Sequence, residues 1–292
     1  MFVFLWFPNS HASDSASGQD KDPMVLNLGF DTHILDDVDI TDVRAAIDVW
    51  LSILAKRMGV PAKGYMFPDF DSLMEEIREG MLDFGTTTTL DYLRIRKKND
   101  VELLFGASRG GKETQKYLLL VRSDSSVTSI EDLKGETLLI RQNDEIGMVF
   151  LDTLLMKRGF RKASGFFSSI VEKKKTARAI LSLFFGKGSA CLAKDADYNI
   201  MKELNPQIGK RLKVITCSPD FVTNMAFIRA DLSDWKKKLY QRAMIELQNS
   251  VAVSQILHLF KSDKVFNLKE RHLETMKTLL EEYRMLNAEG SS

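Results

Sequence analysis

The chain has 292 residues, 44% of them hydrophobic, which is enough for two ordinary globular domains or one large one. Its 41 basic and 40 acidic residues leave a net charge of +1, so composition makes no electrostatic case for nucleic acid or an anionic membrane surface. The two cysteines, Cys191 and Cys217, have no His or Cys neighbours at ligand spacing, which argues against a zinc site.

Taken in chain order, Met1 to Phe7 is an unbroken apolar run followed by small and polar residues, with Ser10-x-Ala12 as a cleavage pattern. Residues 1–23 therefore read as the remnant of a signal peptide and a linker, with the mature protein beginning near Met24. A disordered start on a cytoplasmic protein is the other reading. No later segment reaches the roughly 18 apolar residues that a membrane span needs. Val25 to Phe30 reads as a buried strand. The loop after it carries Asp31, Asp36, Asp37 and Asp39. Thr41 or Asp42 then caps a helix that Gly59 stops, with Val43, Ile47, Trp50, Leu51 and Leu54 at helical spacing.

Lys63 to Phe67 follows as a strand, and Asp71 or Ser72 caps a helix ending at Gly80. Met81 to Gly85 is a short strand, Thr86 to Thr89 a polar turn, and Leu90 to Ile95 a helix. Val101 to Gly106 is a strand that runs into a Gly-Gly loop. The pattern then restarts with strands at Tyr117 to Arg122 and Thr137 to Ile140. A turn, Arg141 to Glu145, leads into a helix that Gly159 closes. A strand near Gly165 to Ser169 and a helix near Lys175 to Phe185 come next. Ser189 to Ala193 and Leu212 to Thr216 are strands, with a helix from Asp195 or Asp197 between them. From Asp234 to Leu286 the pattern is almost wholly helical, with breaks near Ser250 and between Lys261 and Asn267. The short basic runs Lys173-Lys174-Lys175 and Lys236-Lys237-Lys238 read as solvated helix faces, and the cysteines as buried thiols on strands or one disulfide. Strands alternating with helices predict an α/β fold with mainly parallel sheets.

Ser129-Ile130-Glu131-Asp132-Leu133-Lys134-Gly135 resembles the segment that opens the second lobe of type 2 periplasmic solute-binding proteins. Phe70-Asp71-Ser72-Leu73 with Glu79 to Gly85 is similar to another segment of that family, and Asp91-Tyr92 falls where it often carries a tyrosine. The phosphonate- and phosphite-binding branch is the nearest in pattern. This resemblance implies a two-lobed fold, each lobe a mainly parallel sheet flanked by helices. Lobe one would comprise residues 24–121 plus 218–292, and lobe two residues 122–217. Strands around Leu118 to Arg122 and Lys213 to Cys217 would form the hinge, and the C-terminal helices would complete lobe one.

Anions bind readily at helix N-termini, so the strand-to-helix turns supply the candidate ligand residues. Thr86, Thr87 and Thr88 offer hydroxyls to phosphate, carboxylate or sulfonate oxygens, or one of this run simply caps a helix. In the phosphonate-binding branch the turn at Asn143, Asp144 and Glu145 is typically rich in Ser and Thr. Here only Gly147 matches, and a carboxylate repels an anion. Asp144 either caps the helix or, with Glu145, holds an ammonium group of the ligand. Phe30 and Asp31 end the first strand, and Tyr65 either stacks on a ligand or packs in the core. Arg109 either forks onto an oxyanion or is a solvated surface residue. Lys194 and Asp195 follow the Cys191 strand, and Ser218 and Asp220 lie in the loop that returns to lobe one.

GxSxG, HExxH, P-loop and GxGxxG motifs are absent, and His11, His33, His258 and His272 are scattered. No catalytic residue, metal or cofactor is expected. The resemblance implies a monomeric, extracytoplasmic receptor for a small anionic or zwitterionic ligand of phosphate or phosphonate type, delivered to an ABC permease. A ligand-sensing subunit for a membrane signalling kinase is one alternative. An enzyme of the thiamine-precursor type on the same fold is another.

Overall fold

The computed structural model describes residues 24–34, 39–95, 100–247, 253–254, 257–258 and 260–289. The expected signal peptide and linker lie outside the described residues. β1 (Leu26–Asp31) and β2 (Ala62–Phe67) flank α1 (Ile40–Met58). That helix buries the predicted stripe of Val43, Ile47, Trp50, Leu51 and Leu54. Its cap is Asp39 rather than Thr41 or Asp42, and it ends where Gly59 enters the left-handed region at φ 68°. α2 (Phe70–Arg78) is likewise capped at least two residues early, by Asp69 accepting the Ser72 N–H at 2.8 Å.

β3 (Phe84–Thr88), α3 (Thr89–Ile95) and β4 (Val101–Ser108) complete the first run. The expected threonine turn is therefore strand: β3 begins three residues later than predicted and carries Thr86, Thr87 and Thr88 to its end. The apolar Met81-Leu82 pair drew the expectation upstream, yet Met81 is exposed and only Leu82 is buried.

The second run comprises β5 (Tyr117–Arg122), β6 (Thr137–Arg141), α4 (Glu145–Met156), a single turn α5 (Ala163–Phe166) and β7 (Ser169–Lys173). α6 (Thr176–Phe184), β8 (Ala190–Lys194), α7 (Asp195–Leu204), α8 (Pro206–Arg211) and β9 (Leu212–Cys217) follow. The strand expected at Gly165 to Ser169 lies four residues later, because Asp152 holds the Ala163 N–H and starts a helical turn there. β10 (Asn224–Arg229), α9 (Asp234–Leu247), β11 (Lys264–Asn267) and α10 (Glu274–Glu289) close the chain.

The strands form two sheets, ordered β11-β4-β10-β3-β1-β2 and β7-β6-β8-β5-β9, flanked by helices as expected for the fold class. Parallel pairing holds where helical crossovers join strands, at β1–β2, β1–β3, β6–β7 and β6–β8. β10 and β5, which return from the other sheet, run antiparallel to both of their neighbours, so each sheet is mixed. β10 has no counterpart among the predicted elements. β5 and β9, expected as a hinge, are inner and edge strands of the second sheet. The chain instead passes between the sheets in residues 109–116 and 218–223, which are tied by reciprocal backbone bonds between Gln115 and Phe221 of 2.8 and 2.9 Å.

Three further expectations change. Met276, Leu279 and Leu280 of α10 join the core of the second sheet beside Val149 and Phe150, and Lys157, just past the end of α4, meets Glu282 at 2.6 Å. The last helix therefore packs on α4 instead of simply completing lobe one. Lys236, expected on a solvated face, is fully buried with its Nζ 2.9 and 3.0 Å from the two Asp83 carboxylate oxygens. Asp83 also accepts the Asn27 N–H and the Tyr240 hydroxyl, so the buried charges are compensated. Both cysteines are free thiols, Cys191 buried as expected and Cys217 exposed, because Cys217 ends an edge strand.

Candidate functional site

A cavity of about 360 Å³ opens between the ends of the two sheets. On the first side, β3 delivers Thr88 to its wall. The Thr88 hydroxyl donates to Asp91 at 2.6 Å and accepts the Asp91 N–H at 3.0 Å, which locks the first turn of α3. One turn on, Arg94 lies 3.7 Å from Asp91 and reaches across the cavity to Glu145 at 2.5 Å. Asp69 and Asp71 at the start of α2 add two more carboxylates, and Asn224, directly opposite Thr88 on β10, completes this wall.

The second wall is the end of β6 and the start of α4. Arg141 ends the strand and donates to the Asn143 carbonyl at 3.1 Å, and Asn143 turns the chain at φ 57°. Asp144 is buried and caps the helix, accepting the Gly147 N–H at 3.3 Å and the Tyr117 hydroxyl at 2.7 Å. Gly147 has a packing reason: a Cβ there would stand 2.8 Å from the Tyr117 ring. Lys194, at the end of β8, lies buried with its ammonium 6.0 Å from the centre of that ring.

Of the predicted residues, Thr88, Asn143, Asp144, Glu145 and Lys194 meet on this cavity. Thr87 faces the other way and donates to buried Asp31 at 2.9 Å, because neighbours on a strand alternate faces. Phe30 and Thr86 line an adjoining apolar pocket. Tyr65 is exposed beside α1, away from the cleft. Arg109 pairs with Asp197, and Asp195 accepts the Lys116 and Ala196 N–H groups; both flank another surface groove. Ser218 is spent on the Tyr117 N–H at 2.8 Å, and Asp220 accepts from Thr114.

The residues that sequence reasoning passed over are Arg94, Arg141, Tyr117, Asp69, Asp71, Asp91 and Asn224. Arg141 opened the turn already singled out, so its place at the strand end was the usable signal. Tyr92, at the position where the resembled family often carries a tyrosine, is fully buried against Phe227; the tyrosine on the cavity is Tyr117. Arg94 and Tyr117 gave no local signal, since their partners lie 51 and 27 residues away.

The cavity thus presents five carboxylates, from Asp69, Asp71, Asp91, Asp144 and Glu145, against the cations Arg94, Arg141 and Lys194. The N-terminus of α4, the customary seat for an oxyanion, already has its own carboxylate. Among the described residues, no group of three His, Cys, Asp or Glu side chains is placed to hold a metal, and no helix is long and apolar enough to cross a membrane.

The family model described as ABC transporter, phosphonate, periplasmic substrate-binding protein matches residues 34–272. Among solved structures, XAC2383 from Xanthomonas citri bound to chloride superposes with a TM-score of 0.70 at 14% identity, over 91% of this chain and 100% of that one. A binding-protein component of an ABC phosphonate transporter from Pseudomonas aeruginosa gives 0.66 at 16% identity, over 91% and 88%. The PhnD1 protein of Prochlorococcus marinus, in complex with methylphosphonate, gives 0.65 at 16% identity, over 90% and 99%. At these identities the structural likenesses speak for the fold.

Proposed function

The chain belongs to the phosphonate family of ABC-transporter periplasmic substrate-binding proteins, and on that premise we propose that its inter-sheet cavity takes a small zwitterion. A solute-binding role outside the cytoplasm comes with the family. The observation that carries the ligand class is the mixed charge of the cavity, with Asp144 and Glu145 at the helix start where a simple oxyanion would sit. Arg141 and Lys194 would hold the anionic end, and the carboxylates of Asp91 and Glu145 the ammonium end.

In this reading the receptor is a monomer that performs no chemistry, and it travels free once a leader has been removed. Lobe one centres on the six-stranded sheet and lobe two on the five-stranded sheet, with the paired crossings at 109–116 and 218–223 as hinge. Ligand bridging both walls stabilises the closed form, which docks on the permease.

The test is thermal unfolding of the chain against phosphate, methylphosphonate, alkylsulfonates, amino acids and aminoalkylphosphonates. A ligand at about 100 times its dissociation constant adds about 2.7 kcal/mol of stability. Zwitterions are expected to raise the melting temperature, with phosphate and methylphosphonate inert. Asp144→Asn keeps an acceptor for Tyr117 and Gly147 while removing the charge, and it should shift the preference toward the simple anions. A wild-type response to anions alone would defeat the reading.

A further inference from the structure

We infer that the solute this receptor takes also carries a small apolar group about the size of a benzene ring, and that lobe one buries this group in a pocket next to the cleft. The inference rests on reading the cleft as the ligand site. Phe30, Thr86, Ala226 and Phe105 are direct cross-strand partners on β1, β3, β10 and β4, so all four point from one face of the sheet. With Trp50 of α1, which meets Phe30 edge-on at 6.0 Å, they line a pocket of about 130 Å³. Apolar cavities of about 150 Å³ accept benzene.

The pocket and the cleft share walls. Asn224 and Ile34 line both. Thr88 and Asn224, on the cleft, stand two residues from Thr86 and Ala226 along the same strands and on the same face. Two strand residues span about 7 Å. A polar head beside Thr88 and an apolar tail beside Thr86 are therefore one short bond path apart.

Protein interiors close to crystal-like density, and apolar space left empty forfeits dispersion contacts. Among the described residues this space stays open beside the cleft. The Thr86 hydroxyl oxygen beside it is buried and has no hydrogen bond among the described residues. The chemistry selects a compact aromatic or branched substituent.

The experiment uses the full chain and separates pocket from head. Toluene reads the pocket by itself in thermal unfolding. Matched pairs read the linkage in calorimetry: methylphosphonate with benzylphosphonate, and glycine with phenylalanine. Toluene should raise the melting temperature of the wild type and of Thr86→Val, whose shape is the same. Ala226→Leu fills the pocket and should abolish the effect, and Ala107→Leu at the pocket wall serves if that variant does not fold. In whichever pair binds, the benzyl member should bind about tenfold to a hundredfold more tightly, and Ala226→Leu should erase the difference. The inference is overturned if toluene has no effect on the wild type, or if the benzyl member binds no better than its small counterpart. Toluene binding with no pair member bound supports the pocket and defeats the reading of the cleft.

Discussion

Asp152 lies on the buried side of α4, where its carboxylate accepts the Ala163 N–H at 2.7 Å. Burial pushes its pKa above the ordinary aspartate value, with the Ala163 bond and the Lys162 charge pulling the other way. A raised value means that the folded chain holds the proton more tightly than the unfolded chain. This contribution to stability is present below the unfolded pKa and is lost as pH rises through the folded one. Asp152→Asn keeps the acceptor without the titration. The melting temperature of the wild type relative to this variant should fall as pH rises above the ordinary aspartate value of about 3.9, and parallel curves would contradict the assignment. The thiols give a second residue-scale test. Burial, aided by the nearby Asp144 charge, holds the Cys191 thiol far above its ordinary range, whereas Cys217 is exposed. A thiol reagent should titrate one cysteine in the native chain and both in denaturant. Neither difference was visible in sequence, where the two cysteines sit in similar apolar strands.

At the scale of elements, the Lys236–Asp83 pair ties α9 to the start of β3. Removing one partner strands a buried charge and costs about 3–5 kcal/mol, while an apolar replacement of the pair is often far milder. Lys236→Met should therefore lower stability by that order in urea unfolding, and the double variant with Asp83→Asn should recover much of it. Equal losses in single and double variants would mean that the pair is not the reason. A run of three lysines reads as a solvated face, because hydropathy counts the residue type and not the acid waiting 153 positions away. β10 was missed for a related reason. Its register with β3 and β4 satisfies both edges of a central strand, a non-local property, whereas Asn224 to Arg229 carries no alternation that a half-buried strand would need.

For the whole molecule, the Arg94–Glu145 pair is a direct polar tie across the cavity. Its side chains are 30% and 59% exposed, so it falls in the range of about 0.2–1 kcal/mol for solvated pairs. That is enough to bias two lobes and too little to lock them. Glu145→Gln should enlarge the ligand-free particle in small-angle scattering, and the wild type in about 1 M salt should match it, since the screening length there is about 3 Å. An unchanged radius would place the bias elsewhere, and α10 is the next candidate, because it contacts both α3 and α4.

Taken alone, the sequence determined the α/β class, most of the helices and strands, and the family pattern from Phe70 to Gly135. These rest on hydrophobic period, caps and turn residues within a few positions of one another. It also singled out the Asn143 to Glu145 turn, whose functional interest lay in the residue types themselves. Tertiary structure alone decided that Thr88 faces the cleft while Thr87 turns away from it, that Arg94 answers Glu145, and that Tyr117 steadies Asp144. Each of those outcomes depends on strand register and on contacts between segments far apart in the chain. A shift of one residue reverses every side chain on a strand, and no local window contains the partner that sets the register.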